Sequence, residues 1–135
     1  MKKLNIPIID FKNKLNEVSP SFCIAKWKQV TLHLQTGHTH SCHHPTTHKI
    51  PLDELAANPS ALHNTNFKKL QRKKMLEGER PSECDYCWRV EDNPEGDGIS
   101  DRVYKSADEW AIPHLEEVST QPWDHDVVPS YLEVS

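Results

Sequence analysis

Four cysteines constrain this 135-residue chain more than any other feature: Cys23, Cys42, Cys84 and Cys87 are all it has, in the order Cys23-x13-Gly37-x4-Cys42, a long gap, then Cys84-x2-Cys87. Four thiolates make one complete tetrahedral ligand set. A site drawing ligands from position 23 to position 87 would staple distant segments together, so the inorganic centre would belong to the fold.

Composition makes such a staple useful. Hydrophobic residues are 36% of the chain, there are 10 prolines, and the mean hydropathy is -0.74. Apolar burial then barely offsets the conformational entropy lost on folding. Structural metal binding contributes on the order of 10 kcal/mol or more in small domains, because the unfolded chain holds no preformed site. The length fits one domain. The expected class is α+β: a small metal-stapled domain with a β-hairpin followed by helices and an extended acidic C-terminal segment.

Charge is unevenly spread. Residues 1–80 carry 13 Lys/Arg against 6 Asp/Glu and residues 81–135 carry 3 against 14, so the two parts either pack on each other or the acidic one meets a partner. The start, Met1-Lys2-Lys3-Leu4-Asn5-Ile6-Pro7, lacks the apolar stretch of a signal peptide, and no segment approaches a membrane span. The expected location is cytoplasmic. In a reducing compartment four cysteines read as metal ligands rather than two disulfides.

Along the chain, residues 1–20 read as a loosely docked N-terminal arm. From Lys26 to His40, β-branched and apolar residues around Thr36-Gly37 read as a hairpin, which would bring Cys23 and Cys42 to one end. Ile50 to Leu55 reads as a short helix with Pro51 in its first turn, ending before Asn58-Pro59. The strongest helix signal runs from about Asn64 to Glu77, with Asn64 or Thr65 as N-cap and Gly78 as stop. It is expected to bury Phe67, Leu70 and Met75/Leu76 and to expose Lys68, Lys69, Arg72, Lys73 and Lys74. At about 20 Å it is long enough to carry the chain back across the hairpin. Residues 21–90 form the expected metal-binding domain. Residues 91–98 read as a polar linker, a short helix is expected near Ser106 to Trp110, and Tyr131 to Ser135 alternates like the start of a strand.

Cys84-x2-Cys87 is a chelating bite whose two sulfurs face one centre. A zinc ribbon normally pairs two such knuckles about 15–20 residues apart. Here one pair is opened to x18 and 42 positions separate Cys42 from Cys84, which suits the bulk of an iron-sulfur cluster better than a single zinc ion.

These residues carry a resemblance. Cys23-x13-Gly37-x4-Cys42, a gap holding a helix, and the run Met75-Leu76-Glu77-Gly78-Glu79-Arg80-Pro81-Ser82-Glu83-Cys84-Asp85-Tyr86-Cys87 resemble, over about residues 22–88, the SPASM/twitch auxiliary-cluster domain of radical SAM proteins. The resemblance implies a 4Fe-4S cluster on Cys23, Cys42, Cys84 and Cys87, in a protein that modifies a peptide or another macromolecule by radical chemistry. The further cysteines of a full SPASM domain are missing, as in the shorter twitch form. The C-x3-C-x2-C motif of the SAM cluster is missing too, so this chain is expected not to cleave SAM alone, with no catalytic residue of its own and a radical SAM barrel in cis or in trans. Pro129 to Ser135 is similar to the strand that begins such a barrel.

Five histidines crowd Cys42: His38, His40, His43, His44 and His48. They read as a polar turn, as residues tuning a nearby cluster through N–H donation to sulfur, or as a second metal site. Trp27, Trp88, Trp110 and Trp123 read as packing residues, with Trp88 placed to shield the site. The basic helix face leaves an alternative, a zinc-stapled nucleic-acid-binding module. No phosphate loop or Ser/His/Asp arrangement is present.

Overall fold

The computed structural model describes residues 6–135; residues 1–5, the first part of the expected arm, lie outside them. The architecture is α+β. The helices are α1 (Ile8–Val18), α2 (Ala25–Lys28), α3 (Leu52–Ala57), α4 (Asn66–Leu76), α5 (Asp85–Asp92), α6 (Asp101–Ser106) and α7 (Leu115–Thr120). The strands are β1 (Gln29–His33), β2 (His38–His40), β3 (His48–Lys49) and β4 (Tyr131–Val134), in one mixed sheet of order β3-β2-β1-β4.

The hairpin forms as expected. β1 and β2 are antiparallel, with Thr31 opposite His40 and His33 opposite His38, and Gly37 turns the chain at φ 70°, a conformation that costs a Cβ-bearing residue steric strain. The chain's last strand, β4, lies parallel to β1 with Thr31 opposite Glu133. Alternation then divides the sheet. Val30 and Leu32 join Ile50 and Ala61 in a small core on one face, while Thr31, His33, His40 and Glu133 share the other.

Local signals set α4. The Thr65 hydroxyl accepts from the Lys68 N–H at 3.2 Å, and Gly78 at φ 83° ends the helix. There the Glu79 N–H donates to the Lys74 carbonyl and the Gly78 N–H to that of Met75, the paired bonds of a Schellman stop.

The face that α4 buries is a correction. Lys68 (1% exposed), Gln71, Arg72 (0%) and Met75 point inward, whereas Phe67 (41%) and Leu70 (49%) point out. Lys68 and Arg72 reach polar groups that only the folded chain assembles: Lys68 Nζ donates to Thr39 Oγ1 at 2.9 Å, and Arg72 donates to Asn64 Oδ1 at 2.7 Å and to the Lys26 carbonyl at 3.2 Å. Buried polar groups persist where their hydrogen bonds are met.

Three further expectations differ. Residues 8–18 are a helix that seals the main core with Phe11 and Leu15, rather than a loose arm. The region beyond residue 98 also enters that core, through Ile99, Val103, Ala111, Val118 and Val127. The helix expected at 106–110 lies earlier, at 101–106, and α7 follows it. Between α5 and α6, the exposed stretch Asn93–Asp97 is the polar connection read from its composition.

Candidate metal centre

Each cysteine is delivered by a different local device. Cys23 stands just before α2, at the start of the hairpin. Cys42 follows β2 on the returning strand. Cys84 ends a short 3-10 turn, Ser82–Cys84, that runs straight into α5, so Cys87 lies in that helix's first turn. All four line one cavity, about 400 Å³ of empty volume including space open to solvent. Cys23, Cys84 and Cys87 are buried, Cys42 is half-buried, and all are free thiols.

The thiols feel one another. Burial is the main force that pushes Cys42 up to about 11, with Cys23 and Cys87 adding to it. Burial pushes Cys84 up to about 12, with Cys23 and Cys42 contributing, and Cys87 up to about 11, with Cys23 and Cys84 contributing. Every pair among the four is represented in these interactions. Burial in this pocket thus keeps Cys42, Cys84 and Cys87 as thiols, and a cationic centre would reverse that balance by taking cysteines as thiolates.

Cationic side chains stand in the walls. Lys26, Arg102 and Lys105 line the cavity with Asp101 and His44, beside apolar Ala25, Met75 and Trp88. Lys26 is buried, and burial opposes its charge, yet Cys84, its ion-pair partner Glu83 and Cys42 hold its pKa above the ordinary value. Donors also face sulfur. The His44 backbone N–H points at Cys42 and lowers its pKa, and the Arg102 backbone N–H does the same at Cys87. The Ser106 hydroxyl lies 3.8 Å from the Cys23 sulfur while accepting from the Ile24 N–H at 2.9 Å.

Beside Cys42, His44 and Asp101 both line the cavity, His44 Nε2 meets Asp101 Oδ2 at 2.6 Å, and the His44 ring stacks on the exposed Tyr86 at 3.9 Å between centroids. Trp88 is buried in the wall, anchored by its indole N–H to the Pro81 carbonyl at 2.8 Å. That is the shielding position expected for it.

The structure thus brings together all four sequence-predicted ligands. Among the described residues, no three His, Cys, Asp or Glu side chains stand close enough to hold one metal ion as placed. Of the five histidines near Cys42, only His44 lines the cavity. Sequence reasoning passed over Lys26, Asp101, Arg102 and Lys105. The Ser100-Asp101 start of α6, followed by Val103, was the available signal that this stretch is a core helix. The basic face proposed for nucleic acid is largely spent inside: Lys68 and Arg72 are buried, Lys69 pairs with Asp126 at 2.8 Å, and Lys73 pairs with Glu77 and lies over Trp123. In the described residues no helix is long and apolar enough to cross a membrane. Compared with family models, curated proteins and solved structures, the chain gives no significant match to any of them.

Proposed function

We propose that this chain binds a 4Fe-4S cluster through Cys23, Cys42, Cys84 and Cys87, and serves as an auxiliary electron-relay or structural module of a radical SAM system acting on a peptide or another macromolecule. The observation that carries the reading is the single cavity lined by all four thiols and flanked by Lys26, Arg102 and Lys105.

A single zinc ion would require the thiols to draw inward from where they stand, whereas a cluster brings its own bulk and is reached from several directions. When bound, the cluster supplies one-electron chemistry, and four thiolates leave it no open iron. Substrate binding at iron is therefore disfavoured. The chain's own residues would hold the thiolates, donate backbone N–H groups from His44 and Arg102 toward sulfur, balance negative charge with Lys26, and exclude water with Trp88. Such N–H donors and nearby cations raise a cluster's reduction potential. The radical SAM assignment rests on the resemblance alone; without a C-x3-C-x2-C motif, the reaction's SAM chemistry belongs to a barrel in cis or in trans.

Anaerobically purified protein is expected to be brown, with broad visible absorption and equal amounts of iron and acid-labile sulfide. Cys23→Ala should lose most of both. Colourless protein holding one zinc would overturn the cluster, and full iron content in Cys23→Ala would overturn the ligand set.

A further inference from the structure

The sheet face opposite Val30 and Leu32 gathers polar groups that the four-thiol cavity does not use. Register puts Thr31 between His40 on β2 and Glu133 on β4, with His33 two residues along β1 on the same face. His33 Nε2 and His40 Nε2 are 3.0 Å apart, their rings 5.1 Å between centroids and inclined at 28°. Nitrogens about 2.0–2.1 Å from a common ion stand about 2.9–3.4 Å apart at octahedral to tetrahedral angles. The pair already has that separation.

The tautomer is set by the backbone. His40 Nδ1 lies 2.6 Å from the Cys42 carbonyl, which can only accept, so Nδ1 carries a proton, and the lone pair of the neutral ring at Nε2 accepts from the His33 Nε2–H at 3.0 Å until an ion displaces that proton to solvent. A ring N–H donated to a backbone carbonyl is the usual way proteins orient a metal-binding histidine.

Other groups on this face are available to an ion and its water. His43 lies edge-on to His40 at 6.3 Å between centroids and meets Glu133 at 3.3 Å. The Thr31 Oγ1 and Gln29 Oε1 atoms, both on buried residues of the same face of β1, have no hydrogen-bond partner among the described residues. Buried polar atoms of that kind call for an ordered water or ion.

We propose that His33 and His40 form a second metal site, separate from the four thiols, which takes a borderline divalent transition ion such as Zn2+ through their two Nε2 atoms. The protein would supply two ligands and water complete the shell; the half-exposed His43, edge-on to His40, is a further donor once it turns from Glu133. Imidazole ligands select for Zn2+, Ni2+ or Cu2+ over Mg2+ and Ca2+.

The test uses Co2+ added anaerobically to the protein as purified. Sulfur-to-cobalt charge-transfer absorption reports ions on thiolates, and proton NMR of the imidazole N–H groups reports ions on histidine. The expected result is one equivalent bound without growth of the sulfur band, with paramagnetic shifts at His33 and His40. His40→Asn should weaken this binding about tenfold or more. Because His40 is buried, the partly exposed His33→Gln is the decisive variant, with retained circular dichroism as its control; it should weaken binding similarly, while His125→Gln should not. Cobalt bound only with the sulfur band, or affinity unchanged in folded His33→Gln, would overturn the site.

Discussion

Lys68 shows how a charge-bearing residue can be placed against the rule of thumb for its type. Its ammonium touches Thr39 and lies 3.3 Å from His63 Nδ1, with Arg72 one turn along the same face. Burial, then repulsion from Arg72 and Lys26, pushes its pKa from 10.5 down to about 6. Between those values the unfolded chain holds a proton that the folded chain releases, so stability rises with pH across the window and is lost as pH falls toward about 6. His48 and His63 act in the same sense below 6.5: burial, with Lys68 adding to it, pushes His48 down to about 4 and His63 well below its ordinary value. Thermal melts at stepped pH should show this acid sensitivity. Lys68→Met, which keeps the length and removes the buried amine, should melt higher with a flatter pH slope; an unchanged slope would remove Lys68 as its source.

At the scale of elements, α4 owes its position to its ends and to polar burial rather than to an apolar stripe. Thr65 is the single residue whose hydroxyl satisfies an otherwise orphaned N–H at its start. Thr65→Ala should cost about 1 kcal/mol, read as a shift of the denaturant midpoint at unchanged slope. The same change should leave metal content intact, since α4 contributes to the cavity wall only through Met75. Loss of metal in Thr65→Ala would mean that α4 positions the thiols more directly than its contacts indicate.

Across the whole molecule, the charge asymmetry resolves internally. Lys12 pairs with Glu91, Lys26 with Glu83, Lys28 with Glu117, Lys69 with Asp126 and Arg80 with Asp92, each joining the basic part of the chain to the acidic part. The most buried of the tertiary ion pairs is Arg102–Glu91, bonded at 2.8 and 2.9 Å through two nitrogens. Arg102 also donates to the Phe22 carbonyl at 2.8 Å and to Asn16 at 3.1 Å. One guanidinium therefore ties α1, the segment entering Cys23, α5 and α6 around the thiol cavity. Glu91→Ala leaves that charge buried and unpaired, a change that costs about 3–5 kcal/mol. It should lower the melting temperature sharply and release metal together with structure. Retained stability in Glu91→Ala would show that solvent reaches Arg102.

What could be read along the chain was what depends on neighbours in sequence. The turn at Gly37, the cap at Thr65, the stop at Gly78 and the two-residue bite of Cys84 and Cys87 are each decided within a few residues, by φ preference, capping and reach. The four cysteines were legible as a candidate set because thiol chemistry is carried by residue type, and the structure places all four on one cavity. The inward face of α4, the docking of α1, the entry of residues 99–127 into the core, the cations around the thiols and the His33–His40 pair depend on partners far away in sequence. Lys68, Arg72 and Arg102 are tolerated inside because they stand beside Thr39, Asn64 and Glu91 respectively, and no local pattern announces where those will stand. Thiol chemistry is local to its residues, whereas the solvation of a charge is a property of the assembled interior.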